Sequence, residues 1–191
     1  MAIIDWNGRF SGDWSVATNW SSGTVPGPGD AAVINFLGPY TVTVSGADFA
    51  NSLVLNAVTG ALLENSGSLT IEGELHVISG LAQLNKANTI GSVSLAAGGV
   101  IEVGNGGALG TGEVTESAGE LLATANETLT NGLSFSGNST IAAAHGMTLT
   151  ENASSMNIAG ASTLNFGALG EDGTILWHTP TPPTSFASAR H

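Results

Sequence analysis

Glu72, Glu74 and His76 alternate within GSLTIEGELHV, residues 67–77. In an extended strand, side chains two residues apart share a face, so these three project opposite Leu69, Ile71, Leu75 and Val77. Two carboxylates and an imidazole so placed have the chemistry of a weak divalent-cation site. They also suit a general acid and base for glycoside cleavage, with Glu102 and Glu113 as candidates to join from later segments. Cleavage of an acidic polysaccharide needs basic side chains to hold it, and Lys86 is the lone lysine, with the arginines near the two termini. A solvated outer strand face is the simpler reading of the three residues, and it is preferred.

A second constellation lies in SGDWSVATNWSSGTVPGPGD, residues 11–30. Trp14 and Trp20, with Asp13 and Asn19 beside them, have the makings of a sugar site, with rings to stack on pyranose faces and polar groups to bond hydroxyls. The competing reading makes the rings a lid that buries the apolar end of a larger structure, with Pro26 and Pro28 turning the chain without offering strand edges. The lid is preferred. The motifs G-x-S-x-G, P-loop, HExxH and CxxC do not occur, and His76, His145, His178 and His191 form no i, i+4 pair. Thr128-x-Thr130 and Thr148-x-Thr150 stand twenty residues apart, which would stack them as a small threonine array of the kind seen on ice-binding faces. Two rows are ordinary strand composition.

The elements that position these residues follow from composition and period. The chain has 191 residues, enough for one domain with a substantial core. Charged residues are 9% of it, yet three Lys+Arg face fifteen Asp+Glu, a net charge of −12. Such a surface repels phosphate backbones and anionic lipid, which argues against nucleic-acid binding. No apolar run reaches the roughly 18–20 residues of a membrane span, and MAIIDWNGRF has neither the basic nor the apolar region of a signal peptide. Cysteine is absent, so order must come from another source, such as a long hydrogen-bond ladder.

Short alternating segments separated by Gly, Asn and Ser fill the middle of the chain. Set out in rows of about twenty, they align one apolar side chain early in each row: Leu69, Ile90, Leu109, Leu129 and Leu149. The period predicts an all-β fold, a right-handed parallel β-helix (β-solenoid) with coils of about 20 residues, in preference to an antiparallel sandwich. Asn65, Asn85, Asn105 and Asn126 recur at the row ends and are expected to form a structural ladder of stacked amides, with Asn in left-handed geometry at the corners. The expected organisation is an N-terminal cap over residues 1–38, coils over 39–177, and a proline-rich tail or linker over 178–191.

The stretch DWSVATNWSSGTVPGPGDAAVI followed by YTVTV resembles the start of passenger-type β-solenoid regions in bacterial surface and secreted proteins, among them autotransporter passengers and RTX-secreted adhesins. TLTNGLSFSGNSTIAAAHGMTLT and STLNFGALGEDGTILW are similar to their coils. The resemblance implies a bacterial, exported, secreted or cell-surface segment of a longer polypeptide, acting as scaffold or adhesive stalk, and it brings no catalytic residues. The calcium-binding nonapeptide GGxGxDxUx is missing; its nearest approach is GGALGTGEV, from Gly106.

The expected function is therefore a non-enzymatic structural or adhesive segment. The alternatives are a carbohydrate-binding module and, after that, a polysaccharide lyase or hydrolase. No cofactor beyond a weak divalent cation is expected. The anticipated partners are cell-surface or extracellular polysaccharide and further copies of the chain, through end-to-end or homo-oligomeric association.

Overall fold

The computed structural model describes residues 1–8, 10–64, 66–153, 155–159, 162–167 and 170–178. Asn65 and residues 179–191, most of the expected tail, lie outside the described residues. The chain forms a parallel β-solenoid of about six turns, with coils of about 21 residues. Three faces wrap one apolar interior. The first face is a ladder of β1 (Ile3–Asp5), β3 (Ala31–Ile34), the start of β6 (Ser52–Glu64), the middle of β7 (Ser68–Leu84), β8 (Thr89–Leu95), β10 (Val114–Glu116), β13 (Leu133–Phe135) and β16 (Met156–Ile158). The second face stacks β2 (Gly12–Asp13), β4 (Tyr40–Val44), the ends of β6 and β7, β9 (Gly99–Val103), β11 (Gly119–Ala123), β14 (Asn138–Ala143) and β17 (Thr163–Phe166).

The third face is broken. It begins with β5 (Ala47–Ala50) on the starts of β7 and β8, and it resumes as β12 (Glu127–Leu129), β15 (Thr148–Glu151) and β18 (Thr174–Trp177). Between them residues 105–112 form turns, closed by Ala108 N–H to Asn105 O and Gly110 N–H to Gly107 O. Four glycines and an asparagine among those eight residues favour turns over a regular strand.

Alternation explains the interior. On the second face Val42, Leu62, Ala82, Ile101, Leu121 and Ile141 are fully buried and stack in one column. At roughly 25 cal/mol per Å² of buried apolar area, such columns supply the main stabilisation, and parallel backbone bonds fix their register. A twenty-residue period was close to the average, but in the coils the steps vary, from 18 between Leu75 and Val93 to 26 between Leu149 and Ile175. Corners absorb the differences. As a consequence Leu149 stacks on Glu127 rather than on Leu129, and Thr128 pairs with Thr150 rather than Thr148.

The expected amide ladder is corrected in the same way. Leu84 pairs with Val103 and Val103 with Ala123, so Gly104 and then Thr124 follow Asn85 up the column. Asn105 and Asn126 fall one or two positions away from it. Each asparagine bonds backbone instead: Asn85 Nδ2 donates to Glu64 O, Asn105 Oδ1 accepts from Gly107 N–H, and Asn126 Oδ1 accepts from Thr148 N–H. Among the described residues every positive φ belongs to glycine, so no asparagine adopts the left-handed corner geometry. Asn88 bonds to the coils on both sides of its own, accepting from Leu69 N–H and donating to Ala108 O.

At two corners the coils approach so closely that only glycine fits. A Cβ on Gly137 would overlap the Ser117 carbonyl oxygen, and one on Gly112 would overlap that of Gly91. Both obstacles are backbone, which no rotamer change relieves. Gly137→Ala should therefore cost about 2 kcal/mol or more of unfolding free energy in urea, whereas Gly23→Ala, which meets nothing within 4 Å, should cost only its left-handed strain, about 1 kcal/mol. Equal losses would contradict the close stacking.

Candidate functional site

The cap is built on tryptophan. β1 is the first rung of the ladder, and its outer edge is covered when Ser21 N–H bonds Asp5 O and Asn7 N–H bonds Asn19 O. Trp6 and Trp20 meet edge to face at 5.1 Å, and Trp14 and Trp20 at 4.7 Å. Trp20 Nε1 donates to Trp14 O at 2.7 Å. Trp14 and Trp20 are 0% and 1% exposed, so neither ring offers a face on which a sugar can stack. Asn19 Nδ2 is committed to Asp13 O, and Asp13 accepts from Ser15 and Ser45. Burial alone would raise Asp13, but those bonds outweigh it and hold the carboxyl below its usual value. The four residues pack beside the first rungs of the solenoid, and β1 and β3, within residues 1–38, are themselves rungs of its first face.

Glu72, Glu74 and His76 do not share a face. β7 runs round three sides of the coil: its start pairs with β5, its middle with the start of β6, and its end with the end of β6. The register breaks between Ile71 and Glu74, placing Glu72 at the corner while Glu74 and His76 stand on the first face over Ser92 and Ser94. Glu102 is on the second face, where Gln83 Nε2 donates to it at 2.5 Å. Among the described residues no three His, Asp or Glu side chains gather closely enough to hold a metal ion. Strand alternation placed the first three together, but a corner at Gly73 intervenes.

The strongest perturbed chemistry lies inside. Glu64 stands in the inward column of Val44, Leu84, Val103 and Ala123. Glu116 stands between Leu95 and Phe135, and Glu151 between Leu129 and Trp177. Glu116 and Glu151 are both 0% exposed, and none of their four carboxyl oxygens makes a hydrogen bond. Burial pushes Glu116 up to about 8, with Ser139 nearby acting against the rise and Glu151 adding to it. Ser139 Oγ is close without reaching hydrogen-bond geometry. Burial alone takes Glu151 up to about 8. Glu64 rises to about 7 through burial, offset by the Lys86 N–H at 3.1 Å, and Asp48 to about 6 through burial and the neighbouring Asp13. Protonated carboxyls are the state an apolar interior accepts.

These four acids escaped the sequence reading, although a signal existed. Glu64 is in phase with Leu62, Glu116 with Val114 and Glu151 with Leu149. Period-two counting from the apolar residues puts each acid inward. Chemically the arrangement is closed to substrate, since nothing outside reaches the oxygens.

The chain matches no family model, no curated protein and no solved structure.

Proposed function

We propose that the chain is a non-enzymatic, stiff acidic scaffold, an exported or surface segment that acts by geometry. The observation that carries this reading is the unbroken first-face ladder, from Ile3 to Ile158 in parallel register. Its eight strands at roughly 4.8 Å per rung give a rod of about 34 Å, held by backbone bonds along its axis. Stiffness in such a stack needs no disulfide, which suits a cysteine-free chain in any redox compartment. The four acids that burial raises most, Asp48, Glu64, Glu116 and Glu151, support the reading too, because they are sealed in the core. The adhesive role, the bacterial surface setting and end-to-end association belong to the same proposal and rest on composition and repeat pattern.

Incubation with neutral and acidic polysaccharides tests it. A scaffold releases no new reducing or unsaturated ends and leaves the emission of the three buried cap tryptophans, Trp6, Trp14 and Trp20, unchanged. Release of sugar ends by the wild type but not by a Glu72→Gln, Glu74→Gln variant would replace the scaffold with an enzyme.

A further inference from the structure

The second face carries an outward strip that the scaffold reading does not use. Ala61, Leu81, Val100, Glu120 and Thr140 stand in successive rungs of one outward column. With Val58, which is 69% exposed, the apolar members line a concavity of about 400 Å³ floored by Gly60, Gly80 and Gly98. Glu102 closes its rim from the adjoining column. Beyond Val100 the strip turns acidic. Burial raises the Glu120 carboxyl above its usual range, and the charges of Glu171 and Glu102 add to the rise.

Among the described residues no lysine or arginine stands among these three carboxylates, and His145 bonds Asp172, next to Glu171. Among the described residues Lys86 is the lone lysine or arginine, and it lies beside Glu64. An apolar hollow continuous with an uncompensated acidic patch selects its occupant by charge. A second copy of this chain brings net −12 to the same surface and is repelled. A hydroxyl-rich glycan leaves the carboxylates unneutralised.

We propose that the outer second face, with the hollow at Leu81 and Val100 and the carboxylates of Glu102, Glu120 and Glu171, docks a cationic amphipathic segment of another protein. Apolar side chains of that segment fill the hollow and its lysines or arginines neutralise the carboxylates. Burial of the apolar side chains gives affinity, and the charges give orientation and on-rate.

The test is calorimetric titration of the full chain with three short peptides of equal length: an amphipathic leucine–lysine peptide, a serine–lysine peptide of equal charge, and a leucine–glutamate peptide. The first should bind roughly tenfold tighter than the second, and the third should not bind. A Glu102→Gln, Glu120→Gln, Glu171→Gln variant should lose about tenfold in affinity for the leucine–lysine peptide, while Glu72→Gln, Glu74→Gln, Glu113→Gln, which removes the same charge elsewhere, should stay within about twofold. Leu81→Ser with Val100→Ser should bring the leucine–lysine peptide down to the serine–lysine level. Should that apolar variant fail to fold, the two charge variants decide alone. Equal loss in both charge variants would overturn the site in favour of diffuse attraction. Binding of the leucine–glutamate peptide, or self-association that the apolar variant abolishes, would overturn the cationic partner.

Discussion

Raising the pH from 5 to 9 will destabilise the protein by several kcal/mol, and Glu116→Gln with Glu151→Gln will remove most of that dependence. Both carboxyls sit in the folded interior at about 8, against an ordinary value of 4.5. Below 4.5 both the folded and unfolded chains are protonated, and the two groups do not discriminate between them. Between 4.5 and about 8 the unfolded chain sheds these protons and the folded chain keeps them. The folded state then binds more protons, so stability falls with each unit of rising pH and levels off above about 8. For the pair the loss is on the order of 3–6 kcal/mol, which lowers the melting temperature by roughly 10 °C or more. Glutamine does not titrate, so the double variant should keep only the shallower fall due to Glu64 and Asp48, over by about 7. Melting followed by circular dichroism at pH 5, 7 and 9 reads this directly. General repulsion within an acidic chain also grows with pH, but it should respond equally to Glu72→Gln with Glu74→Gln. If that surface variant flattens the profile as much as the interior one, the buried acids are not its cause.

Loss of the cap's central ring is the second large effect. Trp20 touches both other cap tryptophans and holds Trp14 O through its indole N–H. Trp20→Ala should cost about 3–5 kcal/mol, the range for a fully buried aromatic. It should also uncover the edge of β1, which Ser21 and Asn19 now occupy. An exposed parallel edge invites pairing with another chain, so light scattering should rise with protein concentration. Phe10→Ala, at a residue 80% exposed, is the control and should change neither urea midpoint nor scattering. A Trp20→Ala protein that stays monomeric and loses less than about 1 kcal/mol would show that the rings do not close the rod.

The architecture was readable because a solenoid writes its period into the chain. Apolar alternation and glycine-marked corners set the coil length. The register was harder to read. Corners such as Gly73, and the turns at 105–112, insert or drop residues, so columns drawn at constant spacing slide by one or two positions. That slide separated Asn85 from Asn105 and Thr128 from Thr148. It also decided the fate of the candidate sites, because Glu72 parted from Glu74 at a corner the pattern does not announce. The sugar platform was legible only as a pair of rings, since burial depends on what the cap folds against. The interior acids are legible by phase rather than by charge, and phase is the better guide when strands alternate this regularly.

Distances along the first face test the central claim most directly. Asn157, Ser134, Thr115, Ser94, His76 and Val54 form one outward column in successive rungs. The chain has no native cysteine, so spin labels can be placed in pairs on introduced cysteines without background. Labels at Asn157 paired in turn with Ser94, His76 and Val54 should lie about 14, 19 and 24 Å apart along the axis, in narrow distributions, by pulsed dipolar spectroscopy. Separations that do not increase from pair to pair, or distributions too broad to order, would contradict a stiff stack of parallel coils.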